Sequence, residues 1–239
     1  MSKAAASEVA IEPLGDCALL LRFGEGLDAV ANERVHAALH TLHAAGLPGV
    51  VDLVPAYATL ALHYRPEVWT DSNGRVPWRN IAAAVRVIFR TPPIPAPRDD
   101  AIIEIPVCYG GAFGADLEAL AAHAKLDAET IVARHAAATY RVAMIGFAPG
   151  FPYLFGLDPA LHMPRRPSPR TRVPAGSVAI GGAQTGIYPT ELPGGWQLIG
   201  RTPLVLFDAG REPPILLAAG DRVRFVAIDE SRFHELAGT

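Results

Sequence analysis

Between Gly146 and Pro203 the chain carries 10 glycines and 10 prolines in 58 residues, against 12 of each in the other 181. This segment constrains the fold more than any other. Proline fixes φ and removes a backbone donor, which interrupts helices and central strands alike. Glycine admits positive φ and close backbone approach. The segment also holds Phe147, Phe151, Tyr153, Phe155, Tyr188 and Trp196, whereas a flexible Gly-rich linker avoids aromatics. The combination predicts ordered loops between short strands, with turns set by Pro and Gly and aromatics packing the loops down. Ordered loops on a rigid scaffold are where binding and catalysis concentrate.

The flanking sequence supplies the scaffold. "VAIEPLGDCALLLRF" reads as strand, turn and strand, with Gly15-Asp16 at the turn. A helix follows from about Asp28 to Ala45, with Asp28 as its cap, Gly46 as its stop and Val35, Leu39 and Leu42 as its apolar stripe. "GVVDLVPAYATLALHY" supplies two strands around Pro55-Ala56, and residues 78–89 a second helix. The order β-β-α-β-β-α predicts a small α+β sandwich over residues 1–91. The proline-dense stretch 92–98 is expected to be a linker. Residues 99–239 open with the strand "AIIEIPVCY" and two helices beginning at Asp116 and Asp127. Short strands then run to the end, the last being "DRVRFVAI" with Val223, Phe225 and Ala227 on one face. This pattern predicts a β-barrel with helical insertions, so the fold class is α+β.

The chain is half hydrophobic and 19% charged, enough to bury a substantial core. Its net charge of −3, with no basic run, gives no reason to expect nucleic acid. "MSKAAASEVA" lacks the apolar core of a signal peptide. No uncharged apolar run approaches the ~20 residues of a membrane span. Cys17 and Cys108, without a CxxC, read as reduced thiols of a cytoplasmic protein rather than a disulfide. His36, His40 and His43 share a helical spacing and read as an ordinary helix surface, so no metal site is expected. GxSxG, P-loop and Rossmann patterns are absent, and "YGGAFG" lacks the Lys-Ser/Thr ending of a phosphate loop. Pocket-like loops without a self-contained catalytic set suggest half a site, completed by a second protein.

Several residues of the dense segment have the chemistry of a binding site. From Pro159 to Pro189 there is no Asp or Glu, while Arg165, Arg166, Arg170 and Arg172 are present and Arg201 follows. Such arginines suit a carboxylate or phosphate, or else pair with acids elsewhere in the fold or in a partner. Gln184, Thr185 and Tyr188 donate and accept hydrogen bonds without charge. Trp196, after Gly194-Gly195, is a pocket wall or a core anchor. His135 lies on an apolar helix face, where a histidine is either a satisfied core residue or a catalytic base.

The motifs "IGFAPGFPYL", "PSPRTRVPAGSVAI", "QTGIYPTELPGGWQLIGRTP" and "GDRVRF" resemble PxpB, the B-subunit family of 5-oxoprolinase, which includes KipI-type kinase inhibitors and was long described as part of allophanate hydrolase. The match runs from about Ile105 to Ile228. The resemblance implies a cyclophilin-like barrel after the small α+β domain, in shape only and without prolyl isomerase activity. It implies a component, inactive alone, that opens 5-oxoproline to glutamate with a PxpC-like direct partner and a PxpA-like protein. The complex would consume ATP, and no bound cofactor or metal is expected in this chain. Arg170, Gln184, Tyr188, Trp196 and Arg201 fall inside the matching motifs, with Thr185 beside them, and His135 matches an expected histidine. On this resemblance His135, Gln184 and Tyr188 are the catalytic candidates, and Arg170, Arg201, Trp196 and Thr185 the substrate-binding ones. Pro149, Gly150, Phe151 and Tyr153 are expected to shape the pocket or dock the partner. Two other readings remain: a regulator that binds a histidine kinase, or a urea- or allophanate-type carboxyl-transfer component. The latter would need another chain, since no biotin-attachment "MKM" is present.

Overall fold

A computed structural model describes residues 9–71, 76–94 and 101–238. The chain divides into two compact units, Met1–Arg98 and Asp99–Thr239. Residues 95–98 of the expected linker lie outside the described residues.

The first unit is a four-stranded antiparallel sheet in the order β1-β2-β4-β3, built from β1 (Ala10–Pro13), β2 (Ala18–Arg22), β3 (Val50–Pro55) and β4 (Thr59–Tyr64). Helix α1 (Ala29–Ala45) packs with the sheet, and α3 (Pro77–Ile88) packs against α1 and β2. Asp28 caps α1 by accepting from the Val30 N–H, and Gly46 ends it in the left-handed region at φ 56°. Leu19, Leu21, Leu60 and Leu62 alternate inward to meet Val35, Leu42, Ile81 and Val85. Two expectations change here. A short helix, α2 (Pro66–Trp69), follows β4 where none is expected. His36 is not a surface residue; it is buried at 4% exposure.

The second unit is a closed seven-stranded barrel in the order β10-β7-β6-β13-β5-β12-β9. Its strands are β5 (Ile102–Tyr109), β6 (Tyr140–Ile145), β7 (Pro152–Phe155), β9 (Ser177–Gly181), β10 (Gln184–Ile187), β12 (Gln197–Arg201) and β13 (Arg222–Ile228). All neighbours are antiparallel except β5 and β13, which pair in parallel from Ile102 with Arg222 to Cys108 with Ile228. A two-stranded ribbon, β8 (Arg170–Val173) with β11 (Leu192–Gly194), stands apart from the barrel sheet. Helices α4 (Leu117–Ala124) and α5 (Ala128–Ala137) send Leu117, Leu120 and Ile131 into the barrel core. Asp127 caps α5 through the Thr130 N–H. Asp116 precedes α4 but makes no capping bond, because its side chain is used elsewhere.

The chain does not end in strands. Helix α6 (Glu230–Ala237) follows β13, capped by Asp229 and stopped by Gly238. The expected face of β13 also shortens: Val223 and Phe225 are buried, but Ala227 is exposed. Cys17 is exposed and Cys108 buried, both as free thiols. No helix among the described residues is long and apolar enough to cross a membrane.

Candidate functional site on the barrel wall

Successive residues of a strand face opposite sides of its sheet, and β10 divides the expected site along that line. Thr185 and Ile187 face the barrel core, Thr185 beside His135 and Ile187 within the apolar cluster. Gln184, Gly186 and Tyr188 alternate to the other face, where Tyr188 packs with Phe151, Trp196 and Leu198. The barrel wall therefore separates two groups of residues that adjoin in sequence.

On the core side, His135 is fully buried at 0% exposure. Its Nδ1 lies 2.8 Å from the Tyr109 hydroxyl and its Nε2 lies 3.1 Å from the Thr185 hydroxyl. The Thr185 hydroxyl donates to the Ala179 carbonyl at 3.1 Å. A carbonyl only accepts, so the Thr185 proton is committed and Nε2 of the neutral ring must donate to Thr185. Nδ1 then accepts from Tyr109, which assigns the tautomer. The ring stacks on Phe225 at 4.5 Å between centroids. Burial lowers the imidazole pKa to about 3, so the ring is neutral at physiological pH. The same burial holds the Tyr109 phenol well above its ordinary range. Both ring nitrogens are used by protein groups, as expected of a satisfied core histidine; His135 and Thr185 do not join Gln184 and Tyr188.

The outer side carries an aromatic cluster. Phe151, at 2% exposure, meets Tyr188 and Trp196 edge-on at 5.1 and 5.7 Å, and Tyr153 at 4.9 Å. Two glycines let Trp196 lie against the wall. A Cβ on Gly181 would sit 2.6 Å from the indole, and one on Gly186 would sit 3.2 Å from the same ring. Burial raises the Tyr188 hydroxyl pKa, opposed by the backbone N–H of Trp196 and by Arg165 and Arg170, so Tyr188 stays a neutral donor and acceptor. The Arg165 guanidinium lies 5.6 Å above the Trp196 ring. The loop entering this cluster is two-sided. Phe151 is core, whereas Phe147 is 63% exposed and held at φ 69°, and Pro149 is exposed. Gly150, at φ 79°, packs so close to Leu206 and Phe207 that a Cβ would come within 3.0 Å.

Acids from elsewhere in the fold meet some of the arginines. Arg170 and Arg166 both donate to one oxygen of the buried Asp116, at 2.8 and 3.1 Å. Arg172 pairs with Glu191 at 3.6 Å on the surface. Arg201 gives its Nε to the Ala175 carbonyl at 2.8 Å. It closes β12 and has no bond to Asp116, the acid that holds Arg170. Asp116, read from the sequence only as a helix start, joins Arg170 to Arg166, which the sequence reading named among the arginines without assigning it a role. The available signal was indirect: an acid-free, arginine-rich segment implies acids supplied from elsewhere.

The family model described as "Carboxyltransferase domain, subdomain C and D" matches residues 9–217. The B subunit of 5-oxoprolinase from Bacillus subtilis (strain 168) is 43% identical over 227 residues, covering 94% of this chain and 95% of that protein. The protein of the same name from Escherichia coli O157:H7 is 43% identical over 216 residues, covering 89% and 93%. Among solved structures, TTHA0988 superposes with a TM-score of 0.75 at 42% identity, over 89% of this chain. This chain spans only 40% of that longer one. A matching family model over most of the chain and relatives at this identity and coverage agree with the motifs, the barrel and its aromatic wall: the chain belongs to the 5-oxoprolinase B-subunit family of carboxyltransferase subdomain C and D proteins.

Proposed function

We propose that this chain is the PxpB-type component of an ATP-dependent 5-oxoprolinase, opening 5-oxoproline to glutamate together with PxpC-like and PxpA-like partners. The observation that carries the reading is its 43% identity, along 94% of its length, to a protein named as the B subunit of 5-oxoprolinase. The chemistry suits a divided site. A five-membered lactam is an unstrained amide with a poor leaving group. Phosphorylation of its carbonyl oxygen lets water attack that carbon; the ring C–N bond then breaks, the nitrogen takes a proton and phosphate leaves. ATP is a co-substrate of the complex in this scheme.

The outer barrel wall supports a binding role for this chain. Trp196, Phe151 and Tyr188 form a buried aromatic cluster with the half-buried Tyr153 against it, Gln184 lies on the same face of β10, and Arg170, Arg166 and Arg165 lie at the edge of the cluster. Neutral hydrogen-bonding groups suit a lactam amide, and guanidinium groups suit its carboxylate or a phosphoryl group. Pro149 and the exposed Phe147 give the same face an apolar rim for the PxpC-like partner. The His135–Thr185 pair, on the core side, supports the wall rather than contacting the substrate.

The test is glutamate release from 5-oxoproline and ATP by the cognate PxpA-like and PxpC-like proteins, with and without this chain. Release only with all three present is the expected result. Equal release without this chain, or none with all three proteins folded, would overturn the reading and direct attention to the kinase-regulator alternative.

A further inference from the structure

We propose that Asp116 is a positioning residue: it holds Arg166 and Arg170 as a paired clamp for one oxyanion, a carboxylate or a phosphoryl group, on the Trp196 side of the barrel. The inference rests on the 5-oxoprolinase reading above, since 5-oxoproline and ATP present those two groups.

Asp116 is 4% exposed and is tied to the wall from both directions. Its Oδ2 accepts from the Leu198 N–H at 2.7 Å, and its own N–H donates to the Leu198 carbonyl at 2.8 Å. Its Oδ1 takes Nη2 of Arg170 and Nη1 of Arg166. Arg166 comes from the proline-rich loop 164–169 and Arg170 opens β8, yet they converge on a point fixed to β12. One carboxylate balances one guanidinium, so the cluster keeps a net positive charge. Neither arginine pairs with a second acid among the described residues. Neutralising Asp116 would need only one of them.

The second arginine therefore has capacity that the fold does not use. Nε of Arg166 and Nη1 of Arg170 have no protein partner, although buried N–H groups are normally paired. Those two atoms are themselves buried, so the reachable surface belongs to the rest of each side chain, which is 36% exposed in Arg166 and 23% in Arg170. Arg165 on Trp196 adds positive charge nearby, and Tyr188 lies within electrostatic reach of both Arg165 and Arg170. The N–H groups left on each guanidinium can donate to the oxygens of one carboxylate or phosphoryl group shared between the two arginines. Fixing two such groups beforehand reduces the ordering cost of binding.

The experiment uses the assembled complex, with 5-oxoproline varied at saturating ATP and ATP varied at saturating 5-oxoproline. Arg170→Met and Arg166→Met are expected to raise the KM for one reactant about tenfold or more, leaving the other within about twofold. The affected reactant identifies the oxyanion: 5-oxoproline for a carboxylate, ATP for a phosphoryl group. Asp116→Asn, which keeps an acceptor for Leu198 but removes the charge, is expected to shift the same KM by a smaller factor. Unchanged KM values, a loss in kcat alone, or a parallel rise in both KM values in folded variants would overturn the proposal. If Asp116→Asn does not fold, the arginine variants decide. If the wild-type complex releases no glutamate, the 5-oxoprolinase reading fails on its own. Calorimetric titration of the chain with inorganic phosphate then decides the clamp: binding lost in Arg170→Met sustains it, and no difference overturns it.

Discussion

The Nε2 of His135 and the hydroxyl of Thr185 meet at 3.1 Å inside the barrel, while Gln184, one residue earlier, belongs to the opposite face of the wall. The chain Tyr109, His135, Thr185, Ala179 carbonyl uses every proton it has. Thr185→Val keeps the shape but leaves Nε2–H without an acceptor in the core. It is expected to cost about 1–3 kcal/mol of stability, read from urea unfolding, with little change in turnover per folded complex. A large drop in kcat at unchanged stability would instead place His135 in the chemistry.

The buried imidazole also makes stability depend on pH. Its folded pKa is about 3, below the ordinary value of 6.5. Between these values the unfolded chain binds the extra proton, so stability falls as pH drops from 6.5 toward 3 and is unpenalised above 6.5. The slope from this one group is about 1.4 kcal/mol per pH unit. Urea midpoints measured from about pH 7.5 to about pH 4.5 should decline, and the decline should be shallower in His135→Gln. A His135 ring signal that titrates near pH 6.5 in the folded protein would refute this assignment.

Phe151 and Phe147, four residues apart, separate stability from surface. Phe151→Ala opens the aromatic cluster and is expected to cost about 3–5 kcal/mol. Phe147→Ala removes a ring that is 63% exposed, and is expected to cost less than about 1 kcal/mol. Its effect should appear in association with the PxpC-like partner, measured by analytical ultracentrifugation. Equal destabilisation by both substitutions would contradict the two-sided loop.

Gly181→Ala places a methyl against the Trp196 indole at 2.6 Å. The ring must move, at about 1–3 kcal/mol for overpacking. Near-UV circular dichroism of the aromatic cluster should change while far-UV ellipticity does not. An unaltered near-UV spectrum would mean that Trp196 does not lie flat on the wall.

How far the sequence could be read depended on the distance over which each signal acts. Helices α1 and α5 were legible because Asp28, Gly46 and Asp127 act within one turn. The same signals, Asp229 and Gly238, mark α6, which a reading of continued strands passes over. Asp116 shows the opposite limit. Its position before α4 suggests a cap, but its carboxylate is taken by arginines 50 and 54 residues away. Arg170 and Arg201 look like one basic set in sequence, yet Arg170 is held by a carboxylate and Arg201 by the Ala175 carbonyl. Gln184 and Thr185 look like one polar pair, yet strand alternation puts a barrel wall between them.

The sequence by itself determined most of the local elements, though not α2 or α6, the division of labour between an ordinary α+β half and a Gly/Pro/aromatic half, and the family. Those follow from backbone dihedral limits, capping and motif identity, all decided within a few residues. Only the tertiary structure decided how the barrel closes, with β5 and β13 in parallel across about 120 residues of chain, from Glu104 to Arg224. It also decided which acid neutralises which arginine and which face each polar residue occupies. Those choices come from pairing over long loops and from the burial of charge, for which one chain's periodicity carries no signal.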